Sequence, residues 1–267
     1  MELQSRYGAL QSEGIGLVAI FYDDQNAIQA FTEKWGIQFP VLSDVGSKVI
    51  QSYNIHNREV TPDTAFGDIR LYGIPYPGTF VVDRERNVVS RFFEKSYQER
   101  VTTSSMLRRS GVLLGSFQAQ SETSHISVIS SVSDDIVAPG NRFALIVTVS
   151  PKSNMHVYAP GDHSYRIVRL SIDKPEFLRI HESVYPSSEI YYYEPLDESV
   201  PVYQQPFDLV QEVTIPMNDD IEKLASTPGE SLVIEGTLEY QACDDEVCYL
   251  PTQIPLSWEL SWRALVQ

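Results

Sequence analysis

Leu232-Val233-Ile234-Glu235-Gly236-Thr237-Leu238-Glu239-Tyr240, running on into Gln241-Ala242-Cys243-Asp244-Asp245-Glu246-Val247-Cys248-Tyr249-Leu250-Pro251, decides how the second half of the chain is read. Up to Tyr240 the side chains alternate with a period of two, the pattern of a strand with one buried face. Cys243 ends this strand and Cys248 opens the next extended stretch, so the short connection between them places the two sulfurs across a hairpin, at a separation that suits a disulfide. These are the chain's two cysteines, and they are too few for a disulfide scaffold or a four-cysteine zinc site. A loop this short constrains little unfolded-chain entropy, so a bond kept for stability alone is inefficient. Two uses stay open: reversible thiol–disulfide exchange, and a structural hairpin disulfide.

Outward from this segment, short apolar alternations at sandwich-like spacing fill the second half. Ile126–Val132, Phe143–Val149, Ile167–Ile172, Phe207–Ile215, Leu232–Tyr240 and Ile254–Leu260 are expected strands, and no helix of length is required. Residues 1–110 read differently. Leu3, Tyr7 and Leu10 share a helical face, Gly14–Phe21 reads as a buried parallel-type strand, and Asp24 caps a following helix. Phe39-Pro40-Val41-Leu42, a helix after Ser43-Asp44 and an irregular stretch from about Asn54 to Gly73 come next. Thr79–Asp83 and Val88–Phe92 form a hairpin, and a helix near Tyr97–Arg109 closes the unit. The expected organisation is therefore a first domain at 1–110, a polar linker at 111–122 and a β domain at 123–265.

Thirty-six acidic residues against twenty basic ones give a formal charge of −16, the wrong sign for nucleic acid or an anionic membrane surface. No apolar run is long enough for membrane insertion, and the first residues lack the plan of a secretory signal. The five histidines are dispersed without a helical His-x-x-x-His, so no metal is expected, and no cofactor fingerprint occurs.

Gly14-Ile15-Gly16-Leu17-Val18-Ala19-Ile20 with Tyr22-Asp23-Asp24, and Gly73-Ile74-Pro75-Tyr76-Pro77-Gly78-Thr79-Phe80-Val81-Val82-Asp83, carry a resemblance to the AhpC/TSA (peroxiredoxin, redoxin) branch of the thioredoxin superfamily. The resemblance implies an α/β thioredoxin-like fold. It places Pro77 where such folds hold a cis proline beside the reactive sulfur, with Tyr76 preceding it in a docking role. Members of the family carry their cysteine just upstream of a stretch like Glu2–Tyr7; here no cysteine precedes Cys243, so the segment as written has neither a peroxidatic nor a dithiol site. The expectation is a domain incomplete at its N-terminus, a fragment or a start assigned too late, with a degenerate domain as the alternative; loss of that strand would leave an open core beside Leu17–Phe21. Peroxidase-type antioxidant activity would require that upstream segment.

Tyr240–Pro251, with Met155-His156-Val157-Tyr158-Ala159-Pro160-Gly161 and Val200-Pro201-Val202-Tyr203 in order before it, resembles the N-terminal immunoglobulin-like periplasmic domain of the DsbD thiol:disulfide interchange family. The resemblance implies electron relay through Cys243 and Cys248, thioredoxin-like donor or acceptor proteins as partners, and an extracytoplasmic, periplasmic setting. Tyr240 and Tyr249 flank the pair as expected docking residues. In that family an aromatic cap shields the cysteines, and Tyr191-Tyr192-Tyr193 is the nearest candidate; three strand tyrosines on two faces of a sheet is the competing reading. Asp244, Asp245 and Glu246 disfavour a nearby thiolate, so the pair is expected to resist casual exchange. The alternative from another class is a non-catalytic partner-binding module with a structural disulfide.

Overall fold

The computed structural model describes residues 2–61, 74–93, 99–109, 116–173, 178–227 and 230–263. Its contacts divide the chain into two compact units, Met1–Tyr97 and Gln98–Gln267.

The first unit alternates helix and strand, as expected of a thioredoxin-like domain: α1 (Glu2–Ser12), β1 (Ala19–Phe21), α2 (Gln25–Trp35), β2 (Val41–Ser43), α3 (Lys48–Ser52), β3 (Gly78–Val82) and β4 (Val88–Phe93). The Asp24 carboxylate accepts the Asn26 and Ala27 N–H groups and starts α2, and Gly36 in the left-handed region ends it. β1 and β2 pair in parallel and β3 and β4 antiparallel, each as a two-stranded sheet. Leu10, Phe39, Ile50 and Phe92 are buried, with Tyr7 edge-on to Phe39 at 5.7 Å.

Two expectations for this unit are corrected. The segment read as a long buried strand contributes only Ala19–Phe21, and Val18, Ile20 and Phe21 are exposed, because β1 has a single hydrogen-bonded neighbour among the described residues. The Tyr76–Pro77 bond is trans, as are all described peptide bonds. Trans is the lower-energy isomer, and the segment is held without a cis turn by the Tyr76 N–H bond to the Ile55 carbonyl and the bridge between His56 and Pro75. Residues 62–73 of the irregular stretch, Gly73 included, lie outside the described residues.

The second unit is built from three sheets. One takes β5 (Arg100–Val101), β6 (Ser116–Glu122), β7 (Ile126–Val132), β9 (Asn141–Pro151), β12 (Arg179–Ile180) and β15 (Phe207–Thr214), in the order β12-β15-β9-β7-β6 with β5 parallel to β9. Another takes β8 (Ile136–Val137), β11 (Arg169–Ile172), β16 (Ser231–Tyr240) and β18 (Thr252–Trp262), in the order β11-β16-β18-β8. Alternate residues of both sheets enter one core, among them Phe143, Leu145 and Val147 of β9, Ile234 and Leu238 of β16, and Trp258 of β18. The Trp258 indole N–H donates to the Ser131 carbonyl at 3.0 Å, tying β18 to β7. The third sheet, β13 (Glu189–Tyr193), β14 (Glu198–Tyr203), β10 (His156–Tyr158) and β17 (Ala242–Cys243), is antiparallel throughout and carries Cys243.

The expected organisation changes at the junction. The helix assigned to Tyr97–Arg109 is α4 (Thr103–Arg109), and residues 99–109 join the second unit, where Thr102 N–H bonds the Arg142 carbonyl. Of the expected linker, 111–115 lie outside the described residues and 116–122 form β6, antiparallel to β7. An edge strand can take its hold from backbone bonds, so the polar composition that suggested a linker is compatible with it; Phe117, its largest side chain, is exposed. A helix also appears where none was required: α5 (Asp219–Ser226), capped by the Asn218 carboxamide accepting the Ile221 N–H and burying Ile221 and Ala225.

Candidate active site

β17 ends at Cys243, whose register partner on β10 is His156. The chain then turns through Asp244–Val247, and Cys248 bridges back to Cys243 with the Cα atoms 4.1 Å apart and the sulfurs bonded. The turn is held by its own polar groups. The Asp244 carboxylate accepts the N–H of Glu246 at 2.8 Å, the N–H of Val247 at 2.6 Å and the Tyr249 hydroxyl at 2.8 Å. Tyr249 N–H returns to the Ala242 carbonyl, and the Gln241 side-chain amide donates to the Tyr249 carbonyl at 3.1 Å. The two backbone donors and the Tyr249 hydroxyl hold the Asp244 carboxyl below its ordinary value.

The sulfurs are not equivalent. Cys243 is 1% exposed, within a cluster of Tyr158, Val200 and Val202, whereas Cys248 is exposed. The Tyr158 hydroxyl reaches both, 3.1 Å from Cys243 Sγ and 3.4 Å from Cys248 Sγ, and as the only O–H of the three it is the donor while the disulfide is intact. Burial, then the neighbouring Tyr165 and Glu198, pushes the Tyr158 phenol far above its ordinary value of 10. The proton therefore stays on the oxygen at any physiological pH.

Tyrosines and carboxylates surround this pair. Tyr165 stacks flat on Tyr158 at 4.2 Å and donates to Glu198 at 2.8 Å. The His156 ring lies edge-on to Tyr158 at 5.4 Å and against Tyr191 at 4.6 Å, and Tyr191 donates to Asp245 at 3.0 Å. Burial lowers the His156 pKa against the opposing pull of Asp245 and Asp244, so the ring is biased towards neutrality. Among the described residues no group of three His, Cys, Asp or Glu is placed to hold a metal ion.

The expected site residues separate accordingly. Cys243 and Cys248 meet as a disulfide. Tyr249 lines the same hairpin, its ring tilted against His125 at 4.3 Å. Tyr240 is corrected: it is fully buried, its hydroxyl 2.8 Å from Thr123 Oγ1, and a side chain without accessible surface cannot dock a partner. Tyr76 and Pro77 belong to the first unit, whereas the constellation at the cysteines is drawn wholly from the second. In the tyrosine run, Tyr191 reaches over to Asp245 while Tyr192 turns to Asp197, so the run is a strand with two faces and one of its tyrosines covers the site. Tyr158, Tyr165, His156 and Glu198 had no assigned role in the sequence. The signal for Tyr158 and His156 lies in the segment 155–161, but nothing in spacing ties Tyr158 to cysteines 85 and 90 positions away.

With this geometry in view, comparison with known proteins gives a class for part of the chain. Residues 1–91 match the family model described as AhpC/TSA family, placing that segment at family level with redoxin-type thiol oxidoreductases. The crystal structure of the N-terminal periplasmic domain of ScsB from Proteus mirabilis is similar at 12% identity and a TM-score of 0.34, over 54% of this chain and 49% of that one. The chain thus spans about half the length of that solved chain. No curated protein matches.

Proposed function

We propose that the protein is a thiol–disulfide oxidoreductase that relays electron pairs through Cys243 and Cys248. The observation that carries this reading is the asymmetry of the disulfide: one sulfur exposed, the other buried beneath a tyrosine hydroxyl that bonds both. A thiolate of a thioredoxin-like donor attacks Cys248 Sγ, forming an intermolecular disulfide as the Cys243–Cys248 bond breaks and its electron pair leaves on Cys243. The Tyr158 O–H then donates to the new Cys243 thiolate, whose charge is otherwise unfavourable at a buried site beside carboxylates. The donor's second thiolate attacks its own sulfur in the mixed disulfide, Cys248 departs as a thiolate, and both cysteines take protons from solvent. The donor has lost two electrons and the pair has gained them. Run in reverse, the same steps reduce an acceptor.

A purely structural disulfide is the competing role, and the hairpin argues against it. Asp244, Gln241 and the Tyr249 backbone hold the turn by hydrogen bonds that do not depend on the sulfur bond, so the reduced form keeps its shape. The β unit is read here as an immunoglobulin-like sandwich acting outside the cytoplasm, where an accessible disulfide persists between turnovers. The first unit, with its AhpC/TSA match, contributes Tyr76 and Pro77 as a docking segment for thiol proteins.

The test is a redox titration of the folded protein against a dithiothreitol series, read by thiol alkylation and mass spectrometry, with a catalytic amount of thioredoxin. A reversible two-electron transition that thioredoxin accelerates is expected. A bond that opens only on unfolding would leave the protein a binding module with a structural crosslink.

A further inference from the structure

The accessible sulfur follows an acidic turn. Asp244, Asp245 and Glu246 form the turn beside it, and Glu189 of β13 and Glu198 of β14 share the sheet face of Tyr191. The carboxylates that act on His156 are Asp245 and Asp244, and Glu198 acts on Tyr158. An attacking thiolate is itself an anion. Bringing it to Cys248 Sγ means moving a negative charge towards these carboxylates, a repulsion that salt screens in part. Val247 of the turn is 51% exposed and Leu250, two residues after Cys248, is 86% exposed, apolar surface on either side of Cys248 in the chain.

Resting on the relay reading above, we infer that this face is a docking surface for a thiol protein whose reactive cysteine lies in an apolar patch flanked by lysine or arginine. Such cations offset the repulsion, and they also lower the pKa of the donor thiol, raising the fraction in the attacking form. Val247 and Leu250 supply the uncharged centre that such a partner covers, with the carboxylates as its rim. The same field turns away anionic thiols, so the acidic turn acts as a selectivity filter.

Three small thiols of similar size test this on the oxidised full chain: cysteamine as cation, 2-mercaptoethanol as neutral compound and 3-mercaptopropionate as anion. Each second-order rate constant for opening the disulfide is expressed per thiolate and divided by that thiol's rate on an uncharged small disulfide. The expected order is cation, neutral, anion, spread over about tenfold at low salt and contracting in 0.5 M salt. Glu246→Gln narrows the spread. Leu250→Ser lowers the rate of a Leu-Lys-Cys-Lys-Leu peptide more than it lowers that of cysteamine. Equal rates for the three thiols, a faster anion, or a spread insensitive to Glu246→Gln would overturn the inference while leaving the relay intact. Failure of all three thiols and of dithiothreitol to open the bond in the folded protein would remove both.

Discussion

The two units divide family likeness and chemistry between them. Residues 1–91 match the AhpC/TSA family, yet that segment holds no cysteine; both sulfurs lie in the β unit, outside the match. The units also differ in how they are packed. β1 and the residue before it leave Val18, Ile20 and Phe21 exposed, whereas Phe143, Ile234, Leu238 and Trp258 of the second unit are sealed between two sheets. A fold, or a match to one, sets out a scaffold, while activity follows from where the reactive atoms and their polar neighbours are held. In this chain that place is the corner where β10, β14 and β17 meet.

The largest expected effect falls on the sulfurs. Cys248→Ser abolishes exchange, and Cys243→Ser leaves an attacking Cys248 that forms mixed disulfides it cannot resolve from within the chain; intact-mass spectrometry after incubation with oxidised thioredoxin separates the two. The packing contrast is next. Trp258→Ala opens a cavity in the second core and costs about 4 kcal/mol, whereas Phe21→Ser, on a half-open strand, costs under about 1 kcal/mol, both read from denaturant unfolding.

Smaller changes sharpen the account of the site itself. Tyr158→Phe keeps the stack on Tyr165 and removes the O–H, so reduction by dithiothreitol slows by about tenfold, as for one lost hydrogen bond to a charged leaving group. Replacing both cysteines by serine costs about 2 kcal/mol or less, since the loop closed is short. The smallest effect is on pH. His156 is depressed below its ordinary value of 6.5 by burial, so the unfolded chain takes up a proton first and stability falls as pH drops from about 6.5 towards the folded-state value. His181, also lowered by burial and by Arg142 and Arg179, acts in the same sense. The His156→Asn variant flattens that part of the thermal-unfolding profile measured between pH 7.5 and 5.

Much of this could be read from the chain and some could not, for identifiable reasons. Strands such as β7 and β16 were legible because one face of each is buried and the two-residue period survives. β6 was hidden because it is an edge strand with exposed side chains, and edges need no apolar alternation, while β13, also an edge, was offered only as one of two readings of its tyrosines. Asp24 announced α2 because a capping carboxylate acts within three residues. The cysteine hairpin was legible for the same reason of short range. The Tyr158 contact and the Tyr191 bond to Asp245 arise from strands brought together over long stretches of chain, which no local pattern records.

The most direct test of the central claim is to locate the first mixed disulfide. A thioredoxin whose resolving cysteine is replaced by serine is mixed with the oxidised protein, and the trapped adduct is mapped by peptide mass spectrometry. The account predicts an adduct at Cys248 with Cys243 released as a thiol. An adduct at Cys243, or none in the folded protein when the unfolded chain reacts readily, would contradict it.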